Sequence, residues 1–256
     1  MGKLTADGTA PGRHSTGAPS PREGCTVPNP LRISFEHQLA DLQDDILRMG
    51  SYVVQMLSVA MQALVRQDEK FARHVIEMDD TADLMDIQIE QKCMRLLALQ
   101  QPMSRDLRII GTALKIITDL ERIGDFAVDI AKTARRLSSD PYFQPLVDLQ
   151  RMSAAVEWMV RECIHAYVEH DLDLVEQVVA RDDEVDQCYD RMFTELLERM
   201  ERQPSIVRQA TWLLHVGRFL ERIADHAVNV AERVHYVETG EVKGRGHHPH
   251  SGPNGK

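Results

Sequence analysis

The chain has 256 residues, 43% of them hydrophobic and 5% aromatic, a composition that can fill a core and excludes a wholly disordered protein. Its formal charge of −10 becomes −13 on residues 31–240 once the slightly basic ends are set aside, and a body that acidic repels phosphate backbones, so no nucleic-acid partner is expected. The longest uncharged run, residues 49–65, is broken by Gly50, Ser51, Gln55, Ser58 and Gln62, and no apolar stretch follows Lys3; neither a bilayer span nor a cleaved export signal is read, and a cytoplasmic location is expected.

Along the chain, residues 1–30 hold five glycines and five prolines and read as a disordered tail; Cys25 lies there. Periodic apolar residues then predict helices over 34–66 and 69–100, parted only by Gln67-Asp68, and Pro102 opens a third over 103–138. Stripes such as Val75, Met78, Ala82, Met85 and Ile89, or Leu120, Ile123, Ala127, Ile130 and Ala134, recur at steps of three and four and face a bundle core. Pro141 and Pro145 mark the middle. Beyond them helices are predicted over 146–169, 172–201 and 205–238, divided at His170-Asp171 and by Pro204, and residues 241–256 form a second tail. Short connections make sequential helices antiparallel. Cys93, Cys163 and Cys188 stand in helices without any CxxC pairing, as reduced thiols rather than a disulfide scaffold or zinc site.

The body is a tandem duplication. Leu120-Glu121-Arg122-Ile123-Gly124-Asp125-Phe126-Ala127-Val128 returns as Leu220-Glu221-Arg222-Ile223-Ala224-Asp225-His226-Ala227-Val228, with seven of nine positions identical. Upstream, Asp79 and Asp83 recur as Asp182 and Asp186, and Gln101-Pro102 as Gln203-Pro204. The fold class is therefore all-α, two tandem antiparallel three-helix bundles over 31–140 and 141–240.

What repeats is acidic. Glu121, Asp125 and Asp129 stack at i, i+4 and i+8, Glu221, Asp225 and Asn229 repeat the column, and Asp79/Asp83 and Asp182/Asp186 give DxxxD pairs on the preceding helices. Against the apolar stripe these columns fall on the outer face, with Arg122 and Arg222 projecting away from them. A single such pair is ordinarily a solvated surface feature. Four pairs at equivalent positions would repel unless a cation offset them, and oxygen donors with few histidines and no cysteines suit Mg²⁺, Mn²⁺ or iron. A column about 12 Å long exceeds one ion's reach, leaving room for several. His226 beside Asp225 reads as a packed histidine rather than a ligand, and Gly124 as a close-packing position. His247, His248 and His250 read as part of a flexible tail.

No P-loop, GxGxxG, GxSxG or HExxH occurs, and the outward carboxylates do not fit an interior di-iron oxidase pattern. A metal-dependent phosphatase or oxidase would need a convergent acid or base, and His226 is the one candidate.

The segment Leu99-Gln100-Gln101-Pro102-Met103-Ser104-Arg105-Asp106-Leu107-Arg108, with Ala113-Leu114-Lys115-Ile116 and Asp119 through Asp125, resembles the signature of the PhoU family, and Leu220 through Asn229 resembles its second repeat. The likeness spans about residues 34–238. It implies a six-helix, two-bundle, usually dimeric cytoplasmic protein that damps phosphate-starvation genes. The partners it implies are the ATPase subunit of the phosphate ABC transporter and a PhoR-type sensor kinase, reached without a membrane segment of its own. It further implies multinuclear metal sites at Asp79, Asp83, Glu121, Asp125, Asp182, Asp186, Glu221 and Asp225. Asp129 departs from the family's usual Asn, Ala224 from its Gly, and no Arg-Asp-Leu-Arg follows Pro204, which leaves the halves unequal. Service to a different phosphate carrier remains an alternative.

Overall fold

The computed structural model describes residues 30–100 and 102–241, so both expected tails, with Cys25 and the C-terminal histidines, lie outside the described residues except for Pro30 and Glu241. The chain runs α1 (Pro30–Arg66), α2 (Glu69–Gln100), α3 (Ser104–Leu137), α4 (Val147–Glu169), α5 (Leu172–Arg202), a 3₁₀ turn at Pro204–Ile206, and α6 (Val207–Thr239). Each helix lies within a few residues of its predicted span. None of them is long and apolar enough to cross a membrane.

The two boundaries that lack Pro or Gly are set by backbone handedness. Gln67 and His170 adopt left-handed φ values of 52° and 58°, and each is followed by an Asp that restarts the chain as helix. Asp171 caps α5 by accepting from the amides of Asp173 and Leu174, and Asp68 accepts from the amide of Lys70. An Asp in this place satisfies amides that the first helical turn leaves without partners.

Side-chain pairs fix the helix directions. Lys92 of α2 reaches back to Asp45 of α1, so these run antiparallel. Arg32 pairs with Asp106 at the starts of α1 and α3, and Gln67 donates to the Leu137 carbonyl at their ends, so α1 and α3 run parallel with α2 on their outside. The second half repeats this plan. Asp119 meets His226 midway along α3 and α6, while Arg108 near the start of α3 meets Val237 near the end of α6, so these two are antiparallel. Helices α1, α3, α6 and α4 thus make a central quartet, with α2 and α5 packed on opposite flanks. The apolar stripes fill it: Met49, Met56, Leu57, Ile110, Ile116, Ile123, Ile130 and Tyr167 are fully buried. Cys93, Cys163 and Cys188 are buried free thiols.

Close approach of helices is set at glycines, though not at the expected one. A Cβ on Gly50 would stand 2.8 Å from Ile164 Cγ1 across the α1–α4 contact, and one on Gly217 would overlap Met192 and lie 3.0 Å from Tyr189 between α5 and α6. At Gly124 the nearest atoms are Met56 Cε at 3.7 Å and Val53 Cγ1 at 3.8 Å, ordinary contact distances, so this position is not a close-packing requirement.

Candidate functional site

Because α2 lies against α3 on one flank and α5 against α6 on the other, the repeated carboxylates form two equivalent faces. On the first, Asp79, Asp83 and Asp86 of α2 meet Glu121 and Asp125 of α3. Their mutual effect appears in the titration of three of them. Burial first, then the charges of Asp83 and Asp125, push Asp79 above the ordinary carboxylate range. Burial and then Asp125, Asp83 and Asp86 do the same to Glu121 against the lowering influence of Arg122. Asp86 is also raised, by burial and then by Glu90 and Asp83. Asp86, absent from the repeated pairs, lies one turn beyond Asp83 on the same face, and its i+3 spacing is the signal in the sequence that points to it. Asp129 stands farther along α3, 3.5 Å from Lys132.

The second face is more enclosed. Glu221 is 5% exposed, which corrects the expectation of an open outer face. The carboxylates lie in the groove where two helices touch, at the edge of the apolar stripe rather than opposite it. Burial, followed by the charges of Asp186, Asp225, Asp183 and Glu221, raises Asp182 to about 7, and its Oδ1 is buried without a hydrogen-bond partner. Burial likewise raises Glu221, opposed by the Arg218 guanidinium with which it pairs.

Arginine is closer to these columns than the sequence implied. Arg122 Nη1 lies 2.9 Å from Asp125 Oδ2, and Arg222 Nη1 lies 3.1 Å from Asp225 Oδ2. A step of three residues brings side chains back to within about 60° around a helix, and the long arginine stem spans that gap. Each face keeps more carboxylates than guanidiniums even so.

Asn229 does not belong to the second acidic face. Its side chain turns toward the other half, where Nδ2 stands 3.5 Å from Asp119 Oδ1. Asp119, 7% exposed, also meets His226 Nδ1 at 2.9 Å and Arg233 Nε at 3.3 Å. His226 is thus a packed histidine tied to α3. The repeat partners of Asp119 and His226 are Phe219 and Phe126, and these stack at a centroid distance of 6.0 Å. One pseudo-symmetric contact between the halves is therefore a carboxylate–imidazole hydrogen bond and its counterpart is aromatic. No single copy of the repeat contains both members of the Asp119 pair.

The Arg-Asp-Leu-Arg motif closes one end of the same junction. Arg105 pairs with Glu238 at 3.5 Å, Asp106 takes Arg32 at 2.6 Å, and Arg108 Nε donates to the Val237 carbonyl at 3.2 Å.

A metal at the acidic faces is tested by their chemistry. The donors are hard carboxylate oxygens in excess of their arginines, and the orphaned Asp182 Oδ1 is a buried acceptor in want of a positive partner, so the residues fit a hard or borderline cation. Among the described residues no three acidic, histidine or cysteine groups already converge to ligating distance, so an ion would have to draw Asp182, Asp186, Glu221 and Asp225 inward.

Fold and site together define a class: an all-α tandem duplication presenting equivalent carboxylate faces on its two halves. The PhoU domain matches the chain twice, over residues 46–134 and 149–234. This chain belongs to the PhoU family. A phosphate-specific transport system accessory protein PhoU homolog of Clostridium acetobutylicum is 44% identical over 210 residues, covering 82% of this chain and 96% of that protein. The Caulobacter vibrioides homolog of the same name is 39% identical over 209 residues, covering 81% and 91%. The crystal structure of PhoU from Pseudomonas aeruginosa superposes with a TM-score of 0.78 at 35% identity, over 81% of this chain and 100% of that one. The regulatory protein PhoU from Streptococcus pneumoniae gives 0.76 at 31% identity, over 81% and 98%.

Proposed function

We propose that this protein is a non-catalytic accessory protein of phosphate transport. It regulates uptake and holds down the phosphate-starvation response by linking the ATPase subunit of the phosphate ABC transporter to a PhoR-type sensor kinase. The observation that carries the reading is the pair of homologous acidic faces, one on each flank, in a chain whose relatives are named as accessory proteins of a phosphate-specific transport system. Two equivalent faces on one helical quartet let one molecule hold two partners, or two copies of one. Docking is to soluble, basic surfaces of those partners on the cytoplasmic side, and the working unit is a homodimer. Metal ions, iron, manganese or magnesium, held by Asp79, Asp83, Glu121 and Asp125 on one face and Asp182, Asp186, Glu221 and Asp225 on the other, neutralise repulsion and order the two surfaces.

The test is deletion of the gene in its host, with alkaline phosphatase or another starvation product measured in phosphate-rich medium. Constitutive activity, repressed again by the wild-type gene and less well by a Glu121→Ala/Asp125→Ala variant, is the expected outcome. Intact repression in the deletion strain would overturn the regulatory reading.

A further inference from the structure

The end of the α3–α6 junction opposite the Arg-Asp-Leu-Arg clamp is built differently, and it is open. Between the end of α3 and the start of α6 lies a cavity of about 400 Å³, lined by Arg136, Asp140, Phe143, Ser205, Arg208 and Gln209 among others. Where Arg105 and Asp106 are each neutralised at the closed end, Arg136 and Arg208 have no carboxylate partner among the described residues. Two guanidiniums without an ion-pair partner on one cavity are unexpected in so acidic a body, and one of them is held in place. The Arg136 guanidinium lies over the Trp212 ring at 4.5 Å, a stack that engages its π face and leaves its N–H donors for another group. The wall beside it is fixed as well: Gln209 accepts from the Phe143 amide at 2.9 Å and donates to the Pro141 carbonyl at 3.2 Å, while Gln67 donates to the Leu137 and Asp140 carbonyls. Arg208 stands in the first turn of α6, where the helix dipole adds to its charge.

We propose that this cavity binds a small phosphate-type oxyanion. The guanidinium forks of Arg136 and Arg208 grip the oxygens, Ser205 supplies a hydroxyl, and the volume admits a free phosphate or, with more of the space filled, the terminal phosphate of a small metabolite. Asp140, the one carboxylate on the lining, sets the selectivity. A phosphate monoanion or hydrogen phosphate carries an O–H that can donate to a carboxylate; sulfate at neutral pH has none and meets Asp140 with charge against charge. The proposal stands apart from the function argued above, since none of these residues lies on an acidic face, and either can fail without the other.

The experiment is calorimetric titration of the full chain with inorganic phosphate, sulfate and ATP in separate arms. Trp212 fluorescence is followed in a Trp158→Phe background, in which Trp212 is the remaining tryptophan. Saturable phosphate binding with a Trp212 response is expected, weakened about tenfold or more in Arg136→Gln/Arg208→Gln and only partly in Arg136→Lys/Arg208→Lys, which keeps charge and loses the fork. Both arginines are exposed, and matching helical circular dichroism in each variant establishes that the fold is retained. Asp140→Asn should narrow the preference for phosphate over sulfate. Tighter binding of ATP than of phosphate would assign the source to a nucleotide. Absence of saturable binding in every arm, or binding unchanged in the double glutamine variant, would overturn the site; equal affinity for phosphate and sulfate in the wild type would overturn the assignment to phosphate.

Discussion

At Gly124 the repeat itself supplies the control, since the equivalent position in the second half is Ala224, fully buried in the same kind of environment. A helix-interior glycine costs about 0.5–1 kcal/mol relative to alanine through the entropy of the unfolded chain, and here a methyl group meets nothing closer than 3.7 Å. Gly124→Ala should therefore raise stability by about 0.5–1 kcal/mol in urea unfolding. Gly217→Ala should lower it, because the new methyl overlaps Met192. Asp119 is the opposite kind of residue, a nearly buried carboxylate serving three donors from α6. Asp119→Ala leaves His226, Asn229 and Arg233 short of an acceptor and should cost about 1–3 kcal/mol. A double-mutant cycle with His226→Ala should return a coupling between the two; strict additivity would show that their 2.9 Å contact contributes nothing of its own.

The helices were legible because their apolar period is regular and their breaks are chemical: Pro102, Pro141, Pro145, Pro204 and the capping residues Asp68 and Asp171. The partition into two halves was legible because Leu120–Val128 recurs nearly intact. The junction between the halves was not, since its two pseudo-equivalent contacts are unlike, Asp119 with His226 in one and Phe126 with Phe219 in the other, and a repeat compares each residue with its equivalent rather than with its neighbour. Spacing alone gives the acidic faces too much exposure. A heptad position says which way a side chain leaves its own helix, and whether a second helix covers it depends on packing. At the element scale the least local feature is the clamp at the end of α6. Its last carbonyls lack intrahelical donors, and Arg108 supplies one to Val237. Arg108→Ala should free that turn, speeding amide exchange of the residues around Gly240 by a few-fold to about tenfold, the equivalent of about 0.5–1.5 kcal/mol, with the centre of α6 unchanged.

For the molecule as a whole the governing quantity is the energy of collected carboxylates. Asp79, Asp86, Glu121, Asp182 and Glu221 are all shifted upward, with burial the first cause in each; neighbouring carboxylates come next in the first four, while at Glu221 Arg218 opposes the shift before Asp186 and Asp225 add to it. A carboxyl group whose folded value lies above its unfolded value of about 4 holds its proton more tightly in the folded state. Its stabilising contribution is complete below pH 4 and is lost as pH rises through the folded value, which for Asp182 is about 7. Chelator-treated protein should therefore melt at a higher temperature at pH 6 than at pH 8, and Asp182→Asn should remove much of the difference by raising the pH 8 melting temperature. A bound cation reverses the preference, because it requires the ionised form and offsets the charge that burial penalises. Adding Mn²⁺ or Mg²⁺ at pH 8 should then raise the melting temperature of the wild type more than that of Asp182→Asn, and should do so less at pH 6, where protons compete. A cation effect of equal size in wild type and variant would place the ion elsewhere; no pH dependence in the chelated protein would mean that the second acidic face is hydrated well enough to stay ionised without help.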